Sequence, residues 1–154
     1  MRFAYRPFPV HAVPSLGGER ARYRPVVPLH VEGPSGSCDL DVLVDSGADD
    51  VVLPEGLAEA LGIDLRRASF RSAASVGAAR VSYQYASVEL AVSDGNETFR
   101  WGALVGFLSG AMSFPVVGHA GFLQFFDAEL LGAERVLVLR PNRSFKGTCQ
   151  GMSR

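Results

Sequence analysis

The chain has 154 residues, 47% of them apolar, and its 15 basic residues nearly balance its 16 acidic ones. This length suits one domain whose core forms without a metal or a disulfide, and the charge balance argues against nucleic acid or an anionic membrane as the main partner. The two cysteines, Cys38 and Cys149, lack metal-ligand spacing, and no apolar signal-peptide segment begins the chain, so we predict free thiols and a cytoplasmic protein.

Short strands separated by turn residues dominate the chain. Residues 1–25 hold four prolines and are predicted to form an extended N-terminal segment. A domain is predicted over residues 26–141, followed by a C-terminal tail at 142–154. Alternating or continuous apolar runs predict strands at 26–31, 38–44, 51–53, 81–92, 98–107, 113–117 and 134–139. A short helix is predicted at 54–62 and a helical turn at 122–126.

One long uncharged stretch has the length of a membrane-spanning helix. Residues 101–126 contain no Asp, Glu, Lys or Arg, and a helix of that length would cross a bilayer. Several glycines and Pro115 interrupt the stretch, and such residues are typical of turns between strands. We therefore predict buried strands here and no membrane partner.

The overall pattern favours a mostly β fold. It combines many short strands with one or two short helices, and it lacks the strand–helix–strand alternation of parallel α/β proteins. A barrel or a sandwich is the expected architecture.

The segment around Asp45 is the strongest functional candidate. An apolar strand ends at Asp45, and the small residues Ser46 and Gly47 follow it. A lone buried carboxylate costs several kcal/mol unless it is paired or shares a proton. Gly47 permits a tight turn or the close approach of a ligand, and the Ser46 hydroxyl is able to tie the loop down. The alternative is an ordinary turn after a strand.

Residues 42–53 resemble the active-site loop of retroviral proteases and their bacterial relatives. In that family an apolar strand leads into Asp-Ser/Thr-Gly-Ala, often two acidic residues, and a second apolar strand. The matching residues here are Asp45, Ser46, Gly47, Ala48, Asp49 and Asp50, followed by Val51-Val52-Leu53.

Two further segments resemble the same family in the expected order. Residues 114–123 are similar to its apolar-apolar-Gly strand and short helix, and residues 74–85 fall where its flap hairpin lies. The resemblance spans residues 26–141, and on it the chain is identified as a retropepsin-like aspartic protease.

This resemblance implies a closed, pepsin-like acid protease barrel that works as a homodimer on a peptide or protein substrate. It implies a catalytic loop at Asp45, Ser46 and Gly47. It also implies substrate contacts from the loop and the flap tip, namely Ala48, Asp49, Asp50, Ser75, Val76 and Gly77. No metal or organic cofactor is implied.

The dimer follows from the chemistry. Aspartic proteolysis needs two carboxylates that share one proton across a water molecule. The chain holds a single Asp-Ser-Gly, and its other Asp-Gly, at Asp94, lies in a polar turn. Two copies of Asp45 on a two-fold axis are therefore expected.

His119 departs from the family pattern, because retroviral proteases usually carry Arg at that position. We consider both a pH-dependent pairing with Asp49 and a packed histidine without a special role.

Three other functions fit parts of the sequence. A non-catalytic dimeric peptide-binding module of the same fold stays open. A metal-dependent hydrolase using Asp45, Asp49 and Asp50 is disfavoured because the three histidines lack ligand spacing. A serine hydrolase is disfavoured because no Gly-x-Ser-x-Gly elbow is present.

Overall fold

The computed structural model describes residues 1–74, 80–110, 112 and 114–151. Within these residues the chain consists largely of short strands joined by turns. In chain order they are β1 (Arg2–Ala4), β2 (Arg6–Pro9), β3 (Ala21–Arg24), β4 (Val26–Glu32), β5 (Ser37–Val44), β6 (Val52–Pro54), β7 (Ser69–Ala74), β8 (Arg80–Ser93), β9 (Glu97–Leu108), β10 (Val116–Val117), β11 (Phe126–Leu131), β12 (Val136–Pro141) and β13 (Thr148–Gly151). A single turn of helix, α1 (Leu57–Ala60), follows β6, and 3-10 turns lie at Pro14–Leu16 and Leu65–Arg67.

Six strands close into a barrel. Their order is β9, β6, β10, β5, β4 and β8, and β8 pairs back onto β9. Beyond the ring, β13 adds to β9 and β7 adds to β8. The mostly β barrel predicted from the sequence is thus confirmed.

The barrel closes around the apolar faces of its strands. Along β4 the inward residues Val27, Leu29 and Val31 are at most 1% exposed, whereas the intervening Pro28 and His30 reach the surface or lie near it. This two-residue alternation is the pattern of a strand with one buried face. Leu90 from β8 and Phe107 from β9 complete the same core at 0% exposure.

The N-terminal segment is more ordered than the sequence predicted. β1 pairs antiparallel with β12, which places Phe3 opposite Leu137 and inside the main core. β2 and β3 form a separate two-stranded hairpin. A two-stranded pair has free edges, so it accommodates Pro7 and Pro9, which would interrupt a central strand.

The C-terminal segment also joins the fold. Phe145 packs edge-on against Phe99, with the ring centroids 5.5 Å apart, and β13 then pairs with β9. The predicted helical turn at 122–126 is a set of turns at 121–125, and β11 begins at Phe126. The described part of the uncharged stretch includes most of β9, all of β10 and these turns, and no helix among the described residues has the length and apolarity to cross a membrane.

Two leucines on neighbouring strands test the core assignment. Leu90→Ala should lower the free energy of unfolding by about 2–5 kcal/mol, because it removes a fully buried side chain and leaves a cavity. Leu104→Ala is the matched control, since Leu104 is 55% exposed and its change should stay within about 0.5 kcal/mol. Urea unfolding of both variants measures the difference. Equal losses would contradict the barrel interior described here.

Candidate active site

Asp45 is held by backbone contacts on both sides. Its N–H donates to the carbonyl oxygen of Val117 at 3.0 Å, and its carbonyl accepts from Ala48 N–H at 3.2 Å. Its carboxylate oxygen Oδ1 accepts from Gly47 N–H at 2.9 Å. The half-buried carboxylate therefore sits at the end of β5 on a loop that returns to its own side chain.

The short strand β10 fixes the two strands that flank this loop. Val116 pairs in parallel with Leu43 of β5 and antiparallel with Val52 of β6. β10 therefore lies between the strand that enters the loop and the strand that leaves it. A two-residue strand in this position sets the separation of both loop ends.

The next three residues, 118–120, cross the loop and are called the crossing segment below. His119 N–H donates to Ala48 O at 3.0 Å, and Ala120 N–H donates to Asp49 O at 2.7 Å. Val51 N–H returns a bond to Ala120 O at 3.2 Å. The loop from Asp45 to Val51 is therefore held along its length by the main chain.

Gly118 makes this close crossing possible. A Cβ at Gly118 would lie 2.3 Å from Ala48 O and 2.7 Å from Asp50 O, both of them backbone atoms. A Cβ at those distances would force the loop and the crossing segment apart. Gly118, the glycine of the apolar-apolar-Gly strand, thus lets the backbones of the loop and the crossing segment pack closely together.

Gly47 and Ser46 occupy the exposed tip of the loop. Gly47 has no positive φ, so a left-handed turn does not explain the glycine. A Cβ there would instead lie 3.2 Å from Asp45 Oδ1 and crowd the carboxylate. The Ser46 hydroxyl makes no hydrogen bond to the described part of the chain, and its backbone oxygen is the atom that ties the loop down.

That tie comes from His119. Its Nε2 lies 3.2 Å from the carbonyl oxygen of Ser46, and the side chain is exposed. Among the described contacts His119 does not pair with the Asp49 carboxylate, while Asp49 is held through its own backbone oxygen. His119 therefore supports the candidate loop by a hydrogen bond to its main chain.

Asp50 has a partner that the sequence did not indicate. The Tyr85 hydroxyl donates to Asp50 Oδ2 at 2.7 Å. Burial raises the pKa of the neighbouring Tyr83 hydroxyl, and the negative charges of Asp50 and Asp49 raise it further. Both tyrosines come from β8, a strand remote in sequence from the loop, so no local pattern identified them.

Only part of the predicted flap lies within the described residues. β7 and β8 pair as an antiparallel hairpin up to Ala74 and Arg80. The predicted tip residues Ser75, Val76 and Gly77 lie outside the described residues.

Two further candidates from the sequence, the Asp94-Gly95 turn and a metal site, can be compared with the described residues. Asp94 lies in the β8–β9 turn; burial raises its pKa, but the N–H groups of Asn96, Glu97 and Arg2 outweigh that effect and hold the pKa below its usual value. Nowhere in this part of the chain do three or more His, Cys, Asp or Glu side chains group as metal ligands.

Gly118→Ala tests the crossing geometry. Its methyl group would press on Ala48 O and Asp50 O, so the free energy of unfolding should fall by about 1–3 kcal/mol or more. Gly132→Ala is the control, because a Cβ there meets nothing within 4 Å. Urea unfolding compares the two. A Gly118→Ala protein as stable as the Gly132→Ala protein would disprove the close crossing.

Comparisons with known proteins gave one family match and one similar solved structure. The family model described as aspartyl protease matches residues 27–102, which run from β4 through the Asp45 loop into β9. Among solved structures, a retropepsin-like aspartic protease from Rickettsia conorii is similar to this chain, with 15% identity, a TM-score of 0.49, and coverage of 82% of this chain and 92% of that one. No curated protein matches the sequence. The family match includes residues 42–53 and 74–85 of the resemblance but not residues 114–123, and over residues 27–102 the chain is similar to the aspartyl protease family.

Proposed function

We propose that the chain is an aspartic endopeptidase that hydrolyses peptide bonds through a water molecule activated by two Asp45 carboxylates across a homodimer. The observation that carries the proposal is the Asp45 loop itself. Its carboxylate is half-buried on a backbone fixed by Val117 and the crossing segment, while Ser46 and Gly47 beside it are exposed. A rigid loop with an accessible tip suits a site completed by a second copy.

The carboxylates within one chain support the need for that copy. Asp94 accepts three backbone hydrogen bonds in a turn, and Asp50 accepts the Tyr85 hydroxyl. Among the described contacts, the Asp45 carboxylate is hydrogen-bonded to Gly47 N–H and to no second carboxyl group. The second carboxylate is therefore assigned to Asp45 of a partner subunit.

The chemistry proceeds by general acid–base catalysis. The ionised Asp45 takes a proton from the water, and the water oxygen attacks the carbonyl carbon of the peptide bond. The protonated Asp45 of the partner gives its proton to the carbonyl oxygen, which produces a tetrahedral diol. As the C–N bond breaks, the now protonated Asp45 gives its proton to the leaving nitrogen and the ionised Asp45 of the partner subunit takes a proton from a diol hydroxyl. An amine and a carboxylic acid are released, and the pair again shares one proton.

The substrate is a peptide or protein segment bound along the loop. By resemblance, its contacts come from two places. The loop contributes Ala48, Asp49 and Asp50, and the flap contributes Ser75, Val76 and Gly77. Asp49 is exposed and Asp50 is half-exposed, so both carboxylates are accessible to a bound peptide. A cytoplasmic location is part of the proposal.

Asp45→Asn tests catalysis directly. The amide keeps the size of the side chain but neither takes up nor supplies the shared proton, so cleavage should fall at least about a thousandfold. A peptide-library digest from acid to neutral pH, followed by mass spectrometry, measures the loss. Wild-type activity should rise and fall across this range, because the pair works with one proton between its two carboxylates.

Asp39→Asn provides the control, because the Asp39 side chain is 85% exposed and pairs with His30 rather than with the loop. It should retain wild-type activity. Cleavage that persists in a pure Asp45→Asn preparation would end the aspartic-protease proposal. A wild-type protein that binds peptides and cleaves none would favour the non-catalytic peptide-binding module.

Mixing wild-type and Asp45→Asn chains tests the shared site. When equal amounts are unfolded and refolded together, random pairing leaves two intact carboxylates in one dimer of four. The activity of a fixed amount of wild-type chain should then fall to about half. The readout is the cleavage rate at a concentration where sedimentation shows dimers.

The control adds the Asp45→Asn protein after wild-type dimers have formed, before subunits exchange, and activity should start unchanged. If refolding together also leaves activity unchanged, each chain carries its own complete site. Sedimentation that shows monomers up to near-millimolar concentration would contradict the dimer as well.

A further inference from the structure

The bond between Tyr85 and Asp50 joins the strand that leads from the flap to the candidate active-site loop. The Tyr85 hydroxyl lies 2.7 Å from Asp50 Oδ2, and the two residues are far apart in sequence. Tyr85 is 9% exposed, so the packing around its ring fixes the position of its hydroxyl. A donor placed by packing imposes one orientation on its acceptor.

The backbone of Asp50 is fixed independently of its side chain. Asp50 forms an isolated parallel bridge with Ala120 of the crossing segment. The flanking residues are bonded to the same position, with Ala120 N–H on Asp49 O at 2.7 Å and Val51 N–H on Ala120 O at 3.2 Å. The side-chain torsions of Asp50 are still able to vary, and the hydrogen bond from the Tyr85 hydroxyl restricts them.

One oxygen of the Asp50 carboxylate stays available. Tyr85 occupies Oδ2, and no other hydrogen bond from the described residues reaches this carboxylate. The side chain is half-exposed on the loop that carries Asp45. Oδ1 is therefore an acceptor held in a set direction on the same loop as the candidate catalytic group.

Tyr83 supplies a comparison within the same strand. It lies two residues before Tyr85 on the same face of β8, and the two rings meet edge to face with centroids 6.3 Å apart. Its hydroxyl lies in the field of Asp49 and Asp50 but makes no hydrogen bond to the described residues. Removing the Tyr83 hydroxyl therefore changes a similar side chain but leaves the hydrogen bond between Tyr85 and Asp50 in place.

We propose that Tyr85 is a positioning residue that acts through Asp50, orienting the carboxylate so that Oδ1 accepts a hydrogen bond from an N–H donor of the bound peptide. The inference rests on the proposed function, because it assigns how that site holds its substrate. A charge-assisted bond to a fixed acceptor strengthens binding and selects the peptide register. Tyr85 does not touch the reacting atoms, so its effect falls on binding and not on the chemical step.

Tyr85→Phe removes the hydroxyl and keeps the ring. KM for a peptide that the wild-type protein cleaves should rise by roughly three- to tenfold, with kcat within about twofold, because the freed carboxylate loses its set orientation. Tyr83→Phe should leave both constants unchanged. A drop in kcat with an unchanged KM in Tyr85→Phe would overturn the proposal.

A double-variant comparison separates positioning from a general structural effect. In an Asp50→Ala background, Tyr85→Phe should cause no further rise in KM, since the group on which it acts is gone. The same fold-rise in both backgrounds would show that Tyr85 acts by another route. Circular dichroism and urea unfolding confirm that each variant is folded; should Tyr85→Phe not fold, Asp50→Asn, which keeps an acceptor for Tyr85, replaces it and should raise KM.

A binding measurement distinguishes this inference from the proposed catalysis. Arrayed peptides are bound to the Asp45→Asn protein, with and without Tyr85→Phe, so no hydrolysis occurs. Weaker binding in the Tyr85→Phe protein supports the positioning role even if the wild-type protein cleaves nothing. Equal binding by both proteins, or no bound peptide at all, would overturn it.

Discussion

The site depends on the contact between two stretches of main chain, the Asp45 loop and the strand and crossing segment at 116–120. Asp45 N–H binds Val117 O, and the backbone oxygens of Ala48 and Asp49 accept from the two residues after Gly118. Val117 is buried, and a buried backbone group must be paired, so its bond to Asp45 also meets a requirement of the fold. The position of the carboxylate is thereby tied to the integrity of the barrel through the main chain.

Much of this arrangement was visible in the sequence because its signals are local. Asp45-Ser46-Gly47 follows an apolar strand, Gly118 follows two valines, and the Asp94-Gly95 turn sits between two long alternating runs. The strands β11 and β13 were missed because they lack an apolar alternation: β11 is exposed at four of its six positions, and β13 is exposed throughout. Such strands are held by the ladder to a neighbour, which a one-dimensional pattern does not reveal. The bond from Tyr85 to Asp50 was missed for a related reason, since it depends on which strands become neighbours.

The two ends of the chain form part of the same structure as the candidate site. Phe3 enters the core beside Leu137, and Phe145 joins the aromatic group around Trp101, whose indole N–H donates to Gly121 O at 2.8 Å. Gly121 directly follows the crossing segment. The hairpin of β2 and β3 reaches the other end of β10, where Phe8 packs edge-on against Phe114 with centroids 5.4 Å apart. Both terminal regions therefore support the segment that holds the loop.

The position of β10 in the chain has a consequence for the order of folding. Its partners Leu43 and Val52 are synthesised long before Val116, and such distant pairings form slowly because the intervening chain must first lose its conformational freedom. Until residues 116–120 have left the ribosome, Asp45 has no acceptor for its N–H and the loop has no crossing segment. The carboxylate is thus set in place late, after most of the barrel strands exist. A growing chain therefore carries the residues of the candidate site before it has their geometry.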